Sequence, residues 1–378
     1  MSGLSIHPVT SKRDRKSFVD FAWKVYKDDP AWIPPLKSEV HALLDPSKNP
    51  WFGHGRAALF LARRDGRTVG RISAQIDNLV QVHMEPGLGQ WGMFEALDGE
   101  AAAGLIAHAE HWLRDQRMTK ALGPISISIW DEPGLLIDGF DQPPMVMMGH
   151  HRPAYRAWIE AAGYDKAKDL YTYELDIRID MVPVIDRLIS AGEKNPRILI
   201  RKVDKSKFDS EAAIILNLLN DAWSENWGYV PLTEAEIAYA GKKLKPIIFE
   251  DLVRIAEVDG EPAAFMITIP DVNEMIADLD GRLFPFGWAK LLWRLRSPRT
   301  RRVRVPLMGV SKNFQGSRIA GQLAFMLIEF IRRTCVEKYG VHYGEFGWVL
   351  EDNQGMMSIA QLPGANINHT YRIFERAL

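Results

Sequence analysis

Residues 309–333, GVSKNFQGSRIAGQLAFMLIEFIRR, join the end of a short apolar strand to a glycine-bearing turn and then to a helix. The NH groups of a first helical turn have no intrahelical acceptor, and the aligned peptide dipoles place positive potential at the same end. Whatever sits before Ile319 therefore meets a geometry suited to a pyrophosphate. Behind the turn, Leu323, Leu327, Ile328 and Ile331 fall on one helical face, which gives the helix an apolar side to bury.

Two other stretches repeat a common plan. In ALFLARRDGRTVGRISAQID (58–77) and LVRIAEVDGEPAAFMITIPD (252–271), the pairs Asp65-Gly66 and Asp259-Gly260 separate alternating apolar runs, the pattern of a hairpin. Each hairpin follows a helix-rich stretch (11–27 and 207–246) and precedes a long amphipathic helix (100–117 and 319–335). The order reads as an internal duplication, the alternative being two ordinary α/β domains alike by coincidence. IRIDMVPVIDRL (177–188) ends one strand and opens a new helix, so a boundary is expected near 180, between domains 1–180 and 181–378. At the first long helix, Asp98 and Glu100 put negative charge at the helix start and would repel a phosphate. A phosphate site is expected in the second half alone.

Composition narrows the function classes. A chain of 378 residues is too long for one ordinary core. Its 47 basic and 48 acidic residues leave a net charge of -1, which gives no electrostatic reason to seek nucleic acid. The one cysteine, Cys335, shares a helical face with Ile328 and Ile331, reads as a core residue and excludes an internal disulfide. The start MSGLSIHPVTSKRDRKSF lacks the apolar stretch of a secretory signal, and no run reaches the ~18 apolar residues of a membrane span, so a cytoplasmic protein is expected. His150-His151 lacks the spacing of a helical metal site, and no metal is expected.

With these residues in view, the second half resembles the GNAT acyltransferases, whose pyrophosphate signature is Gln/Arg-x-x-Gly-x-Gly/Ala between strand and helix. The chain reads Gln315-Gly316-Ser317-Arg318-Ile319-Ala320, matching at the ends, with Arg318 in place of the central glycine. Val310 and Phe314 stand where the family has an apolar strand end and an aromatic, and EFGWVLEDNQGMMSIAQLPGANINHTYRIFERAL (345–378) looks like its next strand, a helix from near Asn353 and a final strand. The resemblance implies an α/β fold with mixed α+β sheets flanked by helices, two GNAT-like domains in tandem, and one CoA site in the C-terminal copy. The co-substrate it implies is acyl-CoA, held for direct attack by an amine. Met308, Gly309, Val310, Gln315, Gly316, Ser317, Arg318, Ile319, Ala320 and Asn353 are the implied CoA contacts, with Asn353 on the pantetheine arm. Arg318 either crowds the turn or adds a cation to the phosphates.

That chemistry needs a proton acceptor, oxyanion donors and an acid for the thiolate. Asp271 and Glu274 follow the strand AAFMITIP where the family opens its sheet, and Glu345 lies in the neighbouring strand; each is a candidate base, or a turn cap after Pro270 in the case of the first two. Tyr371 or Tyr343 is the candidate acid, strand packing being the alternative. On the acceptor side stand Asn226 and Trp227 from DAWSENWGYVP (221–231), Asn273, and His150 and Tyr155 from the loop-rich region 123–164, which also holds Asp131, Glu132 and His151.

Residues 281–304, GRLFPFGWAKLLWRLRSPRTRRVR, contain no acid. In a helix from Gly287, Trp288, Leu291, Leu292 and Leu295 share one face, opposite Lys290 and Arg294. With Phe284, Phe286 and Trp293 added, this is the composition of a helix at an anionic membrane surface; a core helix with a basic loop, or arginines for the CoA phosphates, are the alternatives. The whole-chain pattern is similar to bacterial acyltransferases associated with sphingolipid synthesis, which N-acylate a sphingoid base to make a ceramide. That resemblance implies a fatty acyl-CoA donor and a lipid amine; a soluble acetyl-CoA N-acetyltransferase of small amines and a non-catalytic CoA-binding protein are the other readings.

Overall fold

Both Asp-Gly pairs form tight hairpin turns. Asp65 and Gly66 (φ 52° and 71°) and Asp259 and Gly260 (φ 54° and 86°) are left-handed at both central positions, as a turn matched to right-twisted strands requires. The computed structural model describes residues 3–378. Met1 and Ser2, the start of the stretch read for a signal segment, lie outside the described residues. The chain divides into two compact units, one comprising residues up to Leu170 with Ile276–Phe284 and His369–Leu378, the other Tyr171–Met275 and Pro285–Asn368.

In the first unit β1 (Ser5–Pro8), β2 (Gly55–Arg64), β3 (Arg67–Asp77) and β4 (Leu88–Ala96) pair antiparallel in sequence order. β5 (Lys120–Gly123) then joins β4 in parallel. A parallel neighbour needs a crossover, supplied by helix Gly99–Asp115, which buries Ala102, Leu105, Ile106, Ala109 and Leu113 in the unit's core. Beyond β5, β6 (Ile125–Ser126) and β7 (Glu132–Pro133) form a small ribbon, and β8 (Leu135–Asp138) pairs with the last strand of the chain. Ile276–Phe284 is held in this unit by Asp280, which accepts from the Trp23 indole at 2.9 Å, and by the Gly281 carbonyl, which accepts from Lys37 N at 2.9 Å.

The second unit takes β9 (Asp165–Asp176) from Tyr171 onward and repeats the plan with β10 (Ile198–Lys202), β11 (Val253–Val258), β12 (Glu261–Pro270), β13 (Arg302–Val310) and β14 (Tyr343–Leu350). The first four of these β10–β13 pair antiparallel in order, and β14 is parallel to β13 across helix Arg318–Thr334. That helix buries Leu323, Leu327 and Ile331 as its periodicity requires, with Cys335 in the same core. Both halves thus carry the mixed-sheet fold expected from the sequence.

The two parallel pairs both come apart. β4 and β5 are in register only from Leu88↔Lys120 to Gln90↔Leu122, and β13 and β14 only from Arg302↔Tyr343 to Val305↔Phe346. In the first unit the gap is filled by the chain itself: Met93 N donates to Ser126 Oγ at 3.1 Å, and Gln75 donates to the Ile125 carbonyl. Gly92 is required there, because a Cβ would lie 2.0 Å from the Ile125 carbonyl oxygen. Replacing Gly92 by Ala forces two backbones apart and lowers stability by about 2 kcal/mol or more, read as a fall in the urea midpoint.

Candidate active site

In the second unit the decisive turn forms as its residues dictate. Gly316 is left-handed (φ 72°) and has no neighbour within 4 Å of a built Cβ, so the turn selects glycine through backbone conformation. Ser317 is the N-cap of helix Arg318–Thr334, its Oγ accepting from Ala320 N at 3.3 Å. The NH groups of Arg318 and Ile319 are left for an external anion. Gln315 folds back on the strand, donating to the Val310 carbonyl at 2.8 Å, and the Arg318 side chain is exposed. Lys312 pairs with Glu225 at 2.6 Å, while its NH donates to Asp221 at 2.8 Å, which ties the turn to the end of helix Phe208–Trp223. Trp223 Nε1 donates to the Met308 carbonyl at 3.0 Å, and Gly309 is packed against Phe265 and Ala222.

The first unit's counterpart is closed to phosphate. Asp98 caps helix Gly99–Asp115 by accepting from Ala101 N at 2.9 Å. Arg64 bonds both Asp98, at 2.7 Å, and Glu100, at 2.5 Å. The expected repulsion by Asp98 and Glu100 is therefore largely neutralised; a carboxylate already seated on the helix end, with its own cation, excludes phosphate instead.

Where β13 and β14 part, buried charge holds them. Glu345 is fully buried, accepts from Asn368 Nδ2 at 2.8 Å and lies 3.7 Å from Arg302 Nη2. Arg302 also bonds Glu174 at 3.0 Å, and Thr172 Oγ1 donates to Asn368 Oδ1 at 2.6 Å. Opposite Glu345 in register, Arg304 is fully buried; its Nη2 donates to the Gly347 carbonyl at 3.2 Å and its guanidinium lies 5.1 Å from the Trp348 ring. Asn368 and Thr172 were not singled out from the sequence, and Arg302 and Arg304 were read as part of the basic segment 281–304 rather than as buried partners of a carboxylate. The signal was the alternation Arg-Val-Arg-Val at 302–305, a strand pattern inside what reads as a basic loop.

The other candidates fall in distinct places. Asp271 is buried and accepts from Asn273 N at 3.2 Å, the turn-capping alternative. Glu274 is exposed at the surface, accepts from Arg301 N at 2.8 Å, and partial desolvation raises its carboxyl above the usual range. Asn353 caps helix Gln354–Gln361 by accepting from Met356 N at 3.1 Å. Asn226 and Trp227 lie in the loop after helix Phe208–Trp223, with Asn226 N on the Trp223 carbonyl at 2.8 Å. Tyr371 belongs to the first unit, where its buried phenol donates to the Gly149 carbonyl at 2.9 Å. Tyr155 is buried in the same unit with its phenol on Glu95 at 2.7 Å, and His150 Nε2 is 2.8 Å from Asp29.

The basic segment is less uniform than its sequence. Helix Gly287–Arg296 forms with none of its residues fully buried. Leu291 and Leu295 are half-buried, whereas Trp288 and Leu292, expected on the same face, are 48% and 55% exposed. Trp293 is 74% exposed, and Phe284 and Phe286 are 82% and 78%. Arg294 donates to the Met275 carbonyl, and Arg302 and Arg304 are consumed in the buried network, so these three arginines are not surface charges. Among the described residues no helix is long and apolar enough to cross a membrane, and no group of three or more His, Cys, Asp or Glu side chains is placed to hold a metal.

Two substitutions separate the turn from the network. Gly316→Val imposes ~1–2 kcal/mol of left-handed strain on the bound turn and weakens CoA about tenfold in a calorimetric titration. Unchanged affinity would remove the turn from the CoA site. Glu345→Ala strips a buried partner from Arg302 and Asn368 and costs about 3–5 kcal/mol, measured by urea unfolding.

No family profile matches the chain. It is 43% identical over 378 residues to the bacterial ceramide synthase of Caulobacter vibrioides, covering 99% of this chain and 98% of that protein. It is 41% identical over 371 residues to protein YghO of Escherichia coli, covering 97% and 94%. Among solved structures, a tandem GNAT protein from the clavulanic acid biosynthesis pathway aligns over 99% of this chain and 98% of its own with a TM-score of 0.58 at 14% identity. A GCN5-related N-acetyltransferase from Sphaerobacter thermophilus aligns over 99% and 95% with a TM-score of 0.54 at 13% identity. With its fold repeated in two halves and that identity running the full length, the chain belongs to the bacterial ceramide synthase family of tandem GNAT acyltransferases.

Proposed function

We propose that the chain transfers a long acyl group from acyl-CoA to the amine of a sphingoid-type lipid, forming a ceramide at the surface of the cytoplasmic membrane. The observation that carries this reading is the pairing of a phosphate-ready turn at Gly316 with the strand pair β13–β14 that separates after Val305 and Phe346. The turn takes the CoA pyrophosphate, and the open strand edges take the pantetheine arm and thioester. The amine nitrogen bonds to the acyl carbon and the carbon–sulfur bond breaks. Of the two protons that the ammonium loses, one passes to a base and then to solvent and the other ends on the CoA thiol.

Within this reading Glu345, tied to Arg302 and Asn368, holds the strands in place, and Glu274, with its raised carboxyl, is the better base on β12's flank. Asp271 shapes the turn that carries Asn273. Asn226, Trp227 and Asn273 serve the acceptor side. The first unit, its own strand gap filled by Ile125 and Ser126, acts as the acceptor-side domain. The exposed aromatics of helix Gly287–Arg296, flanked by Lys290 and Arg296, sit among lipid headgroups, where an indole is half-solvated and a cation meets phosphate.

Purified protein given palmitoyl-CoA and a long-chain amine releases CoA thiol faster than with acetyl-CoA and a small amine. The reverse preference would sink the lipid reading. Trp288→Ser with Leu292→Ser abolishes sedimentation with vesicles containing anionic lipid and leaves CoA affinity unchanged; wild-type sedimentation by the double variant would remove the membrane surface from the proposal.

A further inference from the structure

The first unit holds a polar centre that the CoA chemistry does not use. Its buried base is Glu95 on β4, whose Oε2 accepts the phenols of Tyr26 and Tyr155, each at 2.7 Å, while Oε1 lies 3.5 Å from Arg71 Nη2. Above it stand two carboxylate–imidazole pairs from adjacent histidines. Asp29 Oδ2 is 2.8 Å from His150 Nε2, and Glu132 Oε1 is 3.9 Å from His151 Nε2. Leu136 N donates to His151 Nδ1 at 3.0 Å, so the neutral ring carries its proton on Nε2, toward Glu132. Burial holds His151 neutral, its pKa pushed down to about 3. Gly149 is needed between the members of this pair, because a Cβ would lie 2.7 Å from Glu132 Oε1 and 2.9 Å from His151 Cε1.

Three features show that the centre is built to meet something. The His150 side chain is only 2% accessible, yet its Nδ1 has no hydrogen-bond partner among the described residues, and neither has the buried Nε of Arg71. Desolvation pushes the Glu132 carboxyl up to about 7, with Glu95 and Asp131 adding to the rise and Arg71 opposing it, and its side chain is 42% accessible, so the carboxyl is within reach of a ligand from solvent. Finally, the centre is anionic and aromatic: Glu95 and Glu132 share the Arg71 guanidinium, Asp131 adds negative charge beside Glu132, and beside Asp29 the rings of Trp32 and Tyr26 stack at 5.3 Å. Carboxylates beside aromatic faces select an organic cation, and imidazole nitrogens add hydrogen bonds for a hydroxyl.

We propose that this centre receives the head of the amine acceptor, with Asp29 and Glu132 taking the ammonium and His150 and His151 the neighbouring hydroxyls. The proposal rests on the amine-acceptor reading above and assigns its head-group to the first unit. The charged groups that face Glu132 are Glu95, Asp131 and Arg71, with His151 neutral. Above pH 7 Glu132 is a carboxylate and attracts the ammonium; below it the carboxyl is protonated and the attraction is lost. An alkylammonium stays charged across this range.

The test titrates the full-length protein calorimetrically with a soluble six-carbon 2-amino-1,3-diol and with its N-acetyl derivative. The amine binds about tenfold more tightly at pH 8 than at pH 6, and the N-acetyl derivative at least tenfold more weakly than the amine at pH 8. Glu132→Gln weakens the amine about tenfold at pH 8 and flattens the pH dependence, Glu132→Asp restores part of both, and Asp29→Asn also weakens binding. All three variants keep wild-type CoA affinity, which controls for folding. Wild-type amine affinity in both Glu132→Gln and Asp29→Asn, or equal binding of the N-acetyl derivative, overturns the assignment. Binding with this signature but no thiol release with any amine would defeat the proposed reaction and leave this site standing. Turnover of a long-chain amine with an amine KM untouched by either substitution would defeat this site and leave the reaction standing.

Discussion

The second unit depends on a parallel strand pair that is held firmly at one end and released at the other. Parallel neighbours are joined through a crossover helix, so whatever sets β13 beside β14 also sets the start of helix Arg318–Thr334 at the end of β13. The pairing is pinned by Arg304 and Glu345, opposite each other in register and both removed from solvent. Two buried charges are costly unless their bonds are satisfied, and here Asn368 and Arg302, on Glu345, and the Gly347 carbonyl, on Arg304, share that task. Past Val305 and Phe346 the strands no longer satisfy each other, and the open edge runs straight to the Gly316 turn. The glycine turn at the helix start and the strand gap are therefore one construction.

The first unit shows what happens when that construction is kept and its chemistry removed. Its strands part at Gln90 and Leu122 in the same topological place, but Ile125 and Ser126 occupy the gap and Asp98 occupies the helix end. Each replacement supplies from within the chain what a ligand would have supplied: a backbone for the open edge, and a carboxylate, balanced by Arg64, for the phosphate. The unit keeps its core with both its strand edge and its helix end already occupied.

Local patterns carried most of the fold. Asp-Gly between alternating runs, a glycine-bearing turn ahead of an apolar helix and a helical stripe at Leu323, Leu327 and Ile331 each specify their structure within a few residues, so they were legible in the sequence. The pairing of residues distant in sequence was not. Nothing near Arg302 or Arg304 announces that Glu174 and Glu345 will bury them, and their density of charge reads as a solvated loop. Nothing near Tyr371 announces that the last ten residues leave the second unit, which takes the phenol to Gly149. In the basic helix the 3.6-residue period was right, but it gives only relative directions around an axis. Whether Leu291 or Leu292 faces the protein is decided by neighbours such as the Met275 carbonyl that binds Arg294.

The polar centre of the first unit was legible only in part: Glu132, His150, His151 and Tyr155 lie in the loop-rich region 123–164 that the sequence sets on the acceptor side. Asp29, Arg71 and Glu95 come from three further stretches, and singly each has an ordinary explanation as a surface charge or a strand residue. Together they make an expense that packing alone does not justify, since an apolar filling of the same volume would serve a purely structural domain at least as well. Closure of the strand gap by Ile125 and Ser126 leads directly into β7 and Glu132, only six residues on. The segment that fills the strand gap is thus the segment that carries Glu132, so closing the open edge and placing that carboxyl are a single feature of the chain.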